Sequence, residues 1–341
     1  MSFKKNINSI KKNYSLGIIG GGQLGSMLSE AAKKIDIKTV VLSDDPDAPA
    51  KNFANKFIYG KYHDTKIITE FVNSVDLVTY EFENIPMNTA KTIESICPLR
   101  PSSKILAISQ DRLTEKKFLV DNANVKTAEF RECNNFKDLV NAFNDFDQSA
   151  ILKTRRLGYD GKGQLRINKD SNLEEIWQNL DGDKLIVEQY IHFKRELSVI
   201  IARSIDGDSK IYDCVENKHK NHILDETIAP APNLDSKVRD SSKVIVTSIA
   251  EALNLIGLLA VELFEMDDGE LLVNEIAPRP HNSGHWTMDG CITSQFEQSV
   301  RASMGWPLGS TLRNHDIVMK NLIGKEVDLV DTFINDSRYK I

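Results

Sequence analysis

Cysteine is scarce in this chain of 341 residues: Cys97, Cys133, Cys214 and Cys291 are widely spaced and match no zinc-binding pattern. Such a sparse set is typical of a reducing compartment, so we expect a cytoplasmic protein. No apolar run reaches the length of a transmembrane helix, and we therefore expect no membrane partner. The net charge of −6 provides no basic field, which argues against nucleic acid as a partner.

What the sequence does contain is the composition of a soluble globular protein, with 41% apolar and 27% charged residues. The length is sufficient for two or three domains. The first residues, MSFKKNINSIKKN, are basic and polar and lack the apolar core of a secretory signal. We therefore expect a loose N-terminal tail over residues 1–15.

A glycine-rich turn follows the first predicted strand, Leu16–Ile19. Gly20, Gly22 and Gly25 match the pattern G-x-G-x-x-G, and a helical pattern comes next. Amides at such a turn bind phosphate, and Asp44, about 20 residues further on, fits a dinucleotide fingerprint. The turn fits equally well the phosphate of another ligand, or a tight turn that needs glycine for steric reasons. Strands and helices alternate to about residue 105, which predicts a parallel sheet with helices on both faces.

A second glycine-rich loop, RRLGYDGKGQ, lies between two predicted strands, the first of which contains Lys153. Amides and cations in such a loop can cover a polyphosphate, and an ordinary surface hairpin is the alternative. The loop is not a Walker motif, which requires G-x-x-x-x-G-K-[ST] at the start of a helix. The preceding stretch, LAISQDRLTEKKFLVDNANV, is predicted to form a polar helix.

Two further predicted strands are joined by a kink near residues 191–194, and Glu188 and Glu196 stand on either side of it. Backbone groups of such a linker can pair with a purine edge, and the acids can accept an amine or ribose hydroxyls. The alternative is two solvated charges at strand ends. The next stretch, YDCVENKHKNHILDETIAPAP, is predicted to be irregular and carries His219 and His222, and a helix is predicted at about 237–255.

Late in the chain, strand-like runs flank Asp267-Asp268-Gly269. A two-residue loop at Asp268-Gly269 predicts a hairpin in which Met266 pairs with Leu271 and Glu262 pairs with Glu275. Two like charges on one face are stable only if they share a proton or if a cation neutralises them. A three-residue loop, which would send one glutamate to solvent, is the alternative. The predicted face also carries Ala260, Phe264, Met266, Leu271, Val273 and Ala277.

These segments occur in an order that resembles the ATP-grasp superfamily: a glycine-rich βα unit, DRLTEK, a lysine before a glycine loop, two spaced glutamates, and two acids on a late hairpin. Five sequence motifs are similar to motifs of the N5-carboxyaminoimidazole ribonucleotide synthetases. They are GGGQLGSML, TYEFENIP, AISQDRLTEKKFL, GYDGKGQ and NEIAPRPHNSGHWT. The resemblance extends from about residue 16 to residue 324, and NEIAPRPHNSGHWT is its most specific part.

The resemblance implies an α/β protein with an ATP-grasp fold. A doubly wound parallel-sheet domain at 16–108 would hold the ribonucleotide. A small central α+β domain at 109–187 and a larger C-terminal α+β domain at 188–341 would clasp ATP. The implied reaction joins ATP, bicarbonate and 5-aminoimidazole ribonucleotide through carboxyphosphate and releases ADP and phosphate. The implied cofactors are ATP and Mg²⁺, the partners are small molecules, and the family suggests a homodimer.

The resemblance assigns Glu262 and Glu275 to the magnesium ion. Lys153 and the 158–163 loop would cover the phosphates, with Glu188 on the adenine side and Glu196 on the ribose. The implied ATP-binding set is Arg112, Lys116, Lys153, Gly158, Gly161, Gly163, Glu188, Gln189, Ile191, Glu196, Asn274 and Glu275.

The implied catalytic residues are Arg279, His281, His219 and Lys153. Arg279 resembles an arginine whose planar fork holds bicarbonate or carboxyphosphate. The two histidines would orient carboxyphosphate or move a proton, and a structural hydrogen bond is the alternative for each. The implied ribonucleotide-binding residues are Gly22, Gln23, Leu24, Glu81, Tyr159 and Lys162.

The sequence departs from the family pattern at two places. Many ATP-grasp enzymes have asparagine two residues after the second metal acid, where this chain has Ala277. Family members also continue into a basic, glycine-containing tail, so we expect this chain to be shortened at its C-terminus. The alternative functions are another ATP-grasp ligase that uses formate or an amino acid, a nicotinamide-dependent oxidoreductase, and a non-catalytic nucleotide-binding module.

Overall fold

The computed structural model describes residues 14–158, 162–179 and 184–340. Nearly all of the predicted N-terminal tail therefore lies outside the described residues. Three sheets follow one another along the chain, the first parallel and the other two antiparallel. Within the described ranges, no helix combines the length and the apolar character needed to cross a membrane.

The first sheet has the strand order β3-β2-β1-β4, and all of its pairs are parallel. Apolar clusters lie on both faces, as the continuous apolar runs of its strands require. The predicted doubly wound unit is thus confirmed. One face of this sheet is covered by a helix from the C-terminal part of the chain: Phe296 and Val300 pack against Leu16 and Ile18. Its elements are β1 (Ser15–Ile19), α1 (Gln23–Lys34), β2 (Lys38–Ser43), β3 (Lys56–Tyr59), α2 (Thr65–Asn73), β4 (Leu77–Tyr80) and α3 (Met87–Ile96).

Two helices, α4 (Ser103–Ser109) and α5 (Arg112–Asp121), connect the first sheet to the second. The prediction of one continuous helix here was wrong. The break lies at Asp111, whose side chain accepts a hydrogen bond from the Thr114 amide at 3.1 Å and so caps α5. The cap fixes the start of α5, and with it the positions of Arg112 and Lys116.

The second sheet has the strand order β5-β8-β6-β7. The glycine-rich loop joins the antiparallel pair β6 and β7, as predicted. The predicted domain boundary at 187/188 falls inside β8, so the passage to the third sheet lies instead between Gln189 and Arg195. The elements are β5 (Phe130–Cys133), α6 (Phe136–Asp145), β6 (Ser149–Thr154), β7 (Gln164–Asn168), α7 (Leu173–Gln178) and β8 (Leu185–Gln189).

The third sheet has the order β14-β13-β9-β11-β12-β15, and β10 also pairs with β9. The stretch that we predicted to be irregular forms the hairpin of β11 and β12, and the predicted helix α8 ends at Ala252. The elements are β9 (Arg195–Arg203), β10 (Ser209–Ile211), β11 (Val215–Lys220), β12 (Ile223–Ala229), α8 (Ser236–Ala252), β13 (Gly257–Glu265), β14 (Leu271–Ala277), α9 (Thr287–Gly290), α10 (Gln295–Met304), β15 (Ile317–Lys320) and α11 (Val330–Phe333).

Candidate active site

The hairpin of β13 and β14 brings Glu262 opposite Glu275, as predicted, although the predicted turn was wrong. The amide of Met266 donates to the carbonyl of Glu270 at 2.9 Å, so the loop has three residues instead of two. Leu271 consequently pairs with Glu265. A β-bulge next to Glu262 makes Asn274 the extra residue and restores the pairing of the two glutamates.

The bulge also changes which side chains share a face with the glutamates. Val273 pairs with Leu263, and both are buried in the core under α8, together with Leu271. Placing Leu271 and Val273 on the glutamate face was therefore wrong. Ala260 and Ala277 lie in a different apolar cluster, away from α8.

A cation from a distant helix approaches the glutamate pair. The guanidinium of Arg112 lies 3.0 Å from the Glu275 carboxylate. Burial would raise the pKa of Glu275, but Arg112 and Lys153 outweigh that effect and lower it. Burial and the charge of Glu275 raise the pKa of Glu262 to about 8, and the Asn274 amide lies 3.4 Å from its carboxylate. The pair therefore holds one negative charge at neutral pH and has the capacity to neutralise more positive charge.

Two buried lysines converge on a buried acid of the second sheet, Glu188 on the inner strand β8. The Nζ of Lys153 lies 2.8 Å from Oε2 of Glu188, and the Nζ of Lys116 lies 3.6 Å from the same oxygen. Burial would raise the pKa of Glu188, but the two ammonium groups lower it to about 2. Within the described part of the chain, Oε1 of Glu188 has no hydrogen-bond partner. The cluster carries a net positive charge, which suits an anion.

Arg279 forms an ion pair with Glu83, 2.7 Å away, instead of with the hairpin glutamates. Its Nε is buried and has no hydrogen-bond partner among the described residues. Glu83 follows β4, so this pair joins the first sheet to the end of the hairpin strand. Glu81, and not Glu83, was predicted from the sequence as a site residue, because the spacing of two between these acids does not indicate which of them faces the site.

The two histidines occupy different electrostatic environments. The Nδ1 of His219 lies 2.9 Å from Glu196. Burial lowers the pKa of His219, but the hydrogen bond and charge of Glu196 raise it overall. Burial, with the nearby Arg279 charge, lowers the pKa of His281 to about 3, and its Nε2 lies 3.4 Å from Glu262. At neutral pH, His281 is an uncharged imidazole, whereas His219 is biased toward the charged form.

A cavity of about 250 Å³ collects many of these groups. It lies among the three sheets and is lined by residues of helix α5, the glycine-rich loop and the hairpin. The lining residues that were not predicted from the sequence include Glu83, Gln110, Glu115, Arg155 and Asn282. The predicted site residues that line it are Arg112, Lys153, Gly158, His219, Glu262, Glu275, Arg279 and His281.

Other predicted residues lie at the margins. Gln189 is the last residue of β8, Ile191 follows it, and Lys162 is exposed in the glycine-rich loop. Gly163 adopts a φ of +69°, where an added Cβ would lie 2.5 Å from Oγ1 of Thr154. The predictions for Tyr159 and Gly161 lie outside the described residues.

The glycine turn after β1 is occupied by a carboxylate. Glu81 accepts hydrogen bonds from the amides of Gly22 and Gly25. Helix α1 begins at Gln23, so the amides of Gln23 and Leu24 belong to a first turn that has no intrahelical partners. Asp44 forms an exposed ion pair with Lys61 at 3.5 Å. The turn thus anchors β4 to α1 and presents a helix N-terminus beside that anchor.

Family models match two large parts of this architecture. Residues 14–110 match the ribonucleotide synthetase preATP-grasp domain, and residues 118–296 match the ATP-grasp domain. The parallel first sheet, the two antiparallel sheets and the lysine and glutamate clusters between them define an ATP-dependent ligase of the ATP-grasp class.

Comparisons with individual proteins show which family of this class the chain belongs to. The chain is 40% identical to an N5-carboxyaminoimidazole ribonucleotide synthase of Brucella melitensis, over 96% of this chain and 90% of that protein. The N5-carboxyaminoimidazole synthetase of Staphylococcus aureus complexed with ADP superposes with a TM-score of 0.91 at 36% identity, over 98% and 89% of the two chains. The Aspergillus clavatus enzyme in complex with ADP and 5-aminoimidazole ribonucleotide gives 0.88 at 26% identity, over 95% and 87%. The chain belongs to the N5-carboxyaminoimidazole ribonucleotide synthase family.

Proposed function

We propose that this chain carries out the reaction of its family with the residues of the cavity. ATP, bicarbonate and 5-aminoimidazole ribonucleotide are converted to N5-carboxyaminoimidazole ribonucleotide, ADP and phosphate, a step of purine biosynthesis. The main support is the convergence of Arg112 and Lys153 with the paired glutamates in one cavity. Bicarbonate is a weak nucleophile and ATP is polyanionic, so positioning and charge neutralisation must supply most of the rate enhancement.

The glutamate pair fits a magnesium ion. Carboxylate oxygens are the ligands that Mg²⁺ prefers. A pKa of about 8 at Glu262 indicates that the positive charge around the pair is too small to keep both carboxylates ionised at neutral pH. The described residues contain no group of three or more histidine, cysteine or acidic side chains in a metal-binding arrangement. This agrees with a site that one or two carboxylates and nucleotide phosphates complete together. When bound through Glu262 and Glu275, the ion would neutralise phosphate charge.

Lys116, Lys153 and Arg112 would bind the phosphates. Both lysines already approach Glu188, so an incoming phosphate adds a second anion to a cluster whose cations outnumber its acids. Gly158, at the start of the glycine-rich loop, approaches Arg112 through its carbonyl at 3.2 Å. The remaining nucleotide contacts that we propose are made by Gly161, Gly163, Glu188, Gln189, Ile191, Glu196 and Asn274.

Arg279 and His281 would hold the carboxylate being transferred. The Nε of Arg279, which has no partner among the residues that the structure describes, supplies a donor, and the Glu83 ion pair fixes the direction of the guanidinium. His219, whose pKa is raised by Glu196, would contribute a second hydrogen-bond donor. The ribonucleotide would lie against the first turn of α1 at Gly22, Gln23 and Leu24, with Glu81, Tyr159 and Lys162 at its edge, because a helix N-terminus favours a phosphate group.

The deciding experiment measures phosphate release while bicarbonate and 5-aminoimidazole ribonucleotide are varied together. We expect turnover to require both. Turnover that requires formate and is indifferent to bicarbonate would support another ATP-grasp ligase. NADH binding near micromolar without ATP binding would support an oxidoreductase, and ATP binding without bicarbonate-dependent phosphate release would support a non-catalytic module.

We also propose a cytoplasmic homodimer with the three-part division described above, the second break being moved to residues 190–194. All four cysteines are buried and none forms a disulfide, which suits a reducing compartment. Sedimentation velocity over a range of protein concentrations tests the dimer, and a monomer at micromolar concentration would contradict it.

A further inference from the structure

His281 lies at the end of a buried row of hydrogen-bonding side chains that crosses three neighbouring strands. The hydroxyl of Thr227 on β12 lies 3.0 Å from the Asn217 side chain on β11, which lies 2.9 Å from Ser198 on β9. The Ser198 hydroxyl lies 2.8 Å from that of Ser283. The Ser283 hydroxyl lies 2.8 Å from Nδ1 of His281. No member of the row between Thr227 and Ser283 is more than 5% exposed.

The backbone sets the direction of this row. The amide of Ser283 points to Nδ1 of His281 at 3.3 Å, a contact that favours a lone pair on Nδ1. Imidazolium has no lone pair at that position, and neither does the neutral tautomer that carries its proton on Nδ1. The imidazole proton is therefore on Nε2, the nitrogen that faces Glu262 and the cavity.

The remaining donors follow from the number of protons available. A hydroxyl has one proton, so Ser283 donates to Nδ1 and must accept from Ser198. Ser198 has then used its own proton, and it accepts from the amide nitrogen of Asn217. Thr227 donates to the Asn217 oxygen. In this direction every side chain of the row has its partner, so the row is compatible with the tautomer of His281 that the backbone amide favours.

The peptide of His281 is held as firmly as its ring. Gln295, which is completely buried on α10, accepts from the His281 amide at 2.9 Å and donates to the His281 carbonyl at 2.7 Å. The ring also caps the short 3₁₀ turn Asn282–Gly284. Rotation of the ring would break contacts on both sides, so the side chain is fixed in orientation as well as in tautomer.

We propose that the row from Thr227 to Ser283 holds His281 as its Nε2–H tautomer, so that His281 donates a hydrogen bond to the bound anion and does not act as a base. Ser198, Asn217, Thr227 and Ser283 are positioning residues in this account. The proposal rests on the proposed function for the identity of the anion, but the tautomer itself is independent of it. A proton that leaves the substrate must then be accepted by another group.

The first test reads the tautomer without any substrate. In the intact chain with ¹⁵N-labelled histidine, long-range proton–nitrogen correlation spectra distinguish the two ring nitrogens. The His281 signal is assigned among the seven histidines by its loss in His281→Gln. We expect the proton on Nε2; a proton on Nδ1 would overturn the proposal, whether or not the enzyme carboxylates anything.

Two serine variants test the row itself. Ser283→Ala removes the hydroxyl that meets Nδ1, and we expect a measurable share of the Nδ1–H tautomer to emerge. Ser303→Ala is the matched control, because Ser303 is equally buried and its hydroxyl has no partner in the described part of the chain. We expect it to leave the His281 signal unchanged. An equal response in both variants would contradict a role for the row.

The second test separates a donor from a base. His281→Gln places an amide donor near the position of Nε2, whereas the shorter side chain of His281→Asn ends near that of Nδ1, and neither can carry a transferred proton. We expect bicarbonate-dependent phosphate release to be at least about tenfold faster in the glutamine variant than in the asparagine variant. Equal losses in the two variants would indicate that the reaction needs a titrating ring, and would overturn the proposal.

Discussion

The glycine turn after β1 and the hairpin of β13 and β14 each place acids beside a glycine, but they satisfy those acids differently. Glu81 receives its hydrogen bonds from the amides of Gly22 and Gly25 in the adjoining turn. Glu275 receives its cation from Arg112, which is 163 residues away in the sequence. The first arrangement is complete within its own sheet, whereas the second requires groups from several elements.

This difference shows where function can reside. A carboxylate satisfied by neighbouring amides holds structure together, and burial still raises the pKa of Glu81 despite those bonds. The hairpin pair keeps an acid with a pKa of about 8 next to an ionised one. A cation that binds at the two carboxylates lowers the free energy of such a pair. The motif that resembles a cofactor fingerprint thus contains a structural anchor beside the proposed ribonucleotide site, and we propose that the hairpin carries the chemistry.

The largest effect is expected at the hairpin, in the rate. Glu275→Gln removes one ligand charge, so we predict that turnover falls at least about 100-fold while the fold stays intact. Phosphate release and the thermal unfolding midpoint measure the two parts. Glu270→Gln, at the exposed turn of the same hairpin where Glu270 pairs with Lys126, is the control and should retain full activity. Near-normal turnover in Glu275→Gln would remove that residue from the mechanism.

The second effect is expected at the glycine turn, in stability. Gly20 has a φ of +101°, and an added Cβ would lie 2.3 Å from Cγ of Glu81. We predict that Gly20→Ala lowers the free energy of unfolding by roughly 3 kcal/mol or more, because backbone strain and the clash add. Denaturant unfolding measures the loss. A change below about 1 kcal/mol would indicate that this turn is not the tight anchor described here.

The third prediction concerns pH. The pKa of Glu262 is about 8 in the folded chain against an ordinary 4.5, so the folded chain binds more protons than the unfolded chain between these values. The stability that protonated Glu262 contributes is therefore present below about pH 4.5 and is lost as the pH rises through about 8. Without nucleotide or magnesium, we expect the unfolding midpoint of the unsubstituted chain to fall by several degrees relative to Glu262→Gln across this range. Unfolding midpoints that change with pH in the same way for the unsubstituted chain and Glu262→Gln would contradict the prediction.

The smallest effect is expected from a glycine of the hairpin turn. Gly269 has a φ of +84°, but the nearest atom to an added Cβ is 3.4 Å away on Val238. Gly269→Ala should therefore cost only backbone strain, about 1 kcal/mol, and should leave turnover unchanged. A loss of stability as large as that of Gly20→Ala would remove the contrast between the two turns.

Local patterns predicted much of this molecule. Alternating strands and helices indicated the parallel first sheet, and Asp-Gly between two apolar runs indicated the hairpin. The break between α4 and α5 had a local cause, since Asp111 can cap a helix, but the polar pattern runs through it. The pairing of Glu262 with Glu275 was correct for an incomplete reason: a three-residue loop and a bulge at Asn274 compensate each other.

The rest depended on contacts between distant parts of the chain. The sequence does not indicate that Arg112 meets Glu275, that Glu83 meets Arg279, or that Lys116 and Lys153 share one buried acid. These pairs form because the three sheets pack around one cavity. Their geometry depends on tertiary packing, and periodicity along the chain contains no record of it.

The central claim is that Glu262 and Glu275 jointly hold a divalent ion that arrives with nucleotide. The most direct measurement is a crystal structure of the chain with Mg²⁺ and a non-hydrolysable ATP analogue. We expect both carboxylates to face one metal site that is completed by phosphate oxygens, with Arg112 displaced from Glu275 or shared with phosphate. Carboxylates that point apart, with the metal bound elsewhere, would contradict the account.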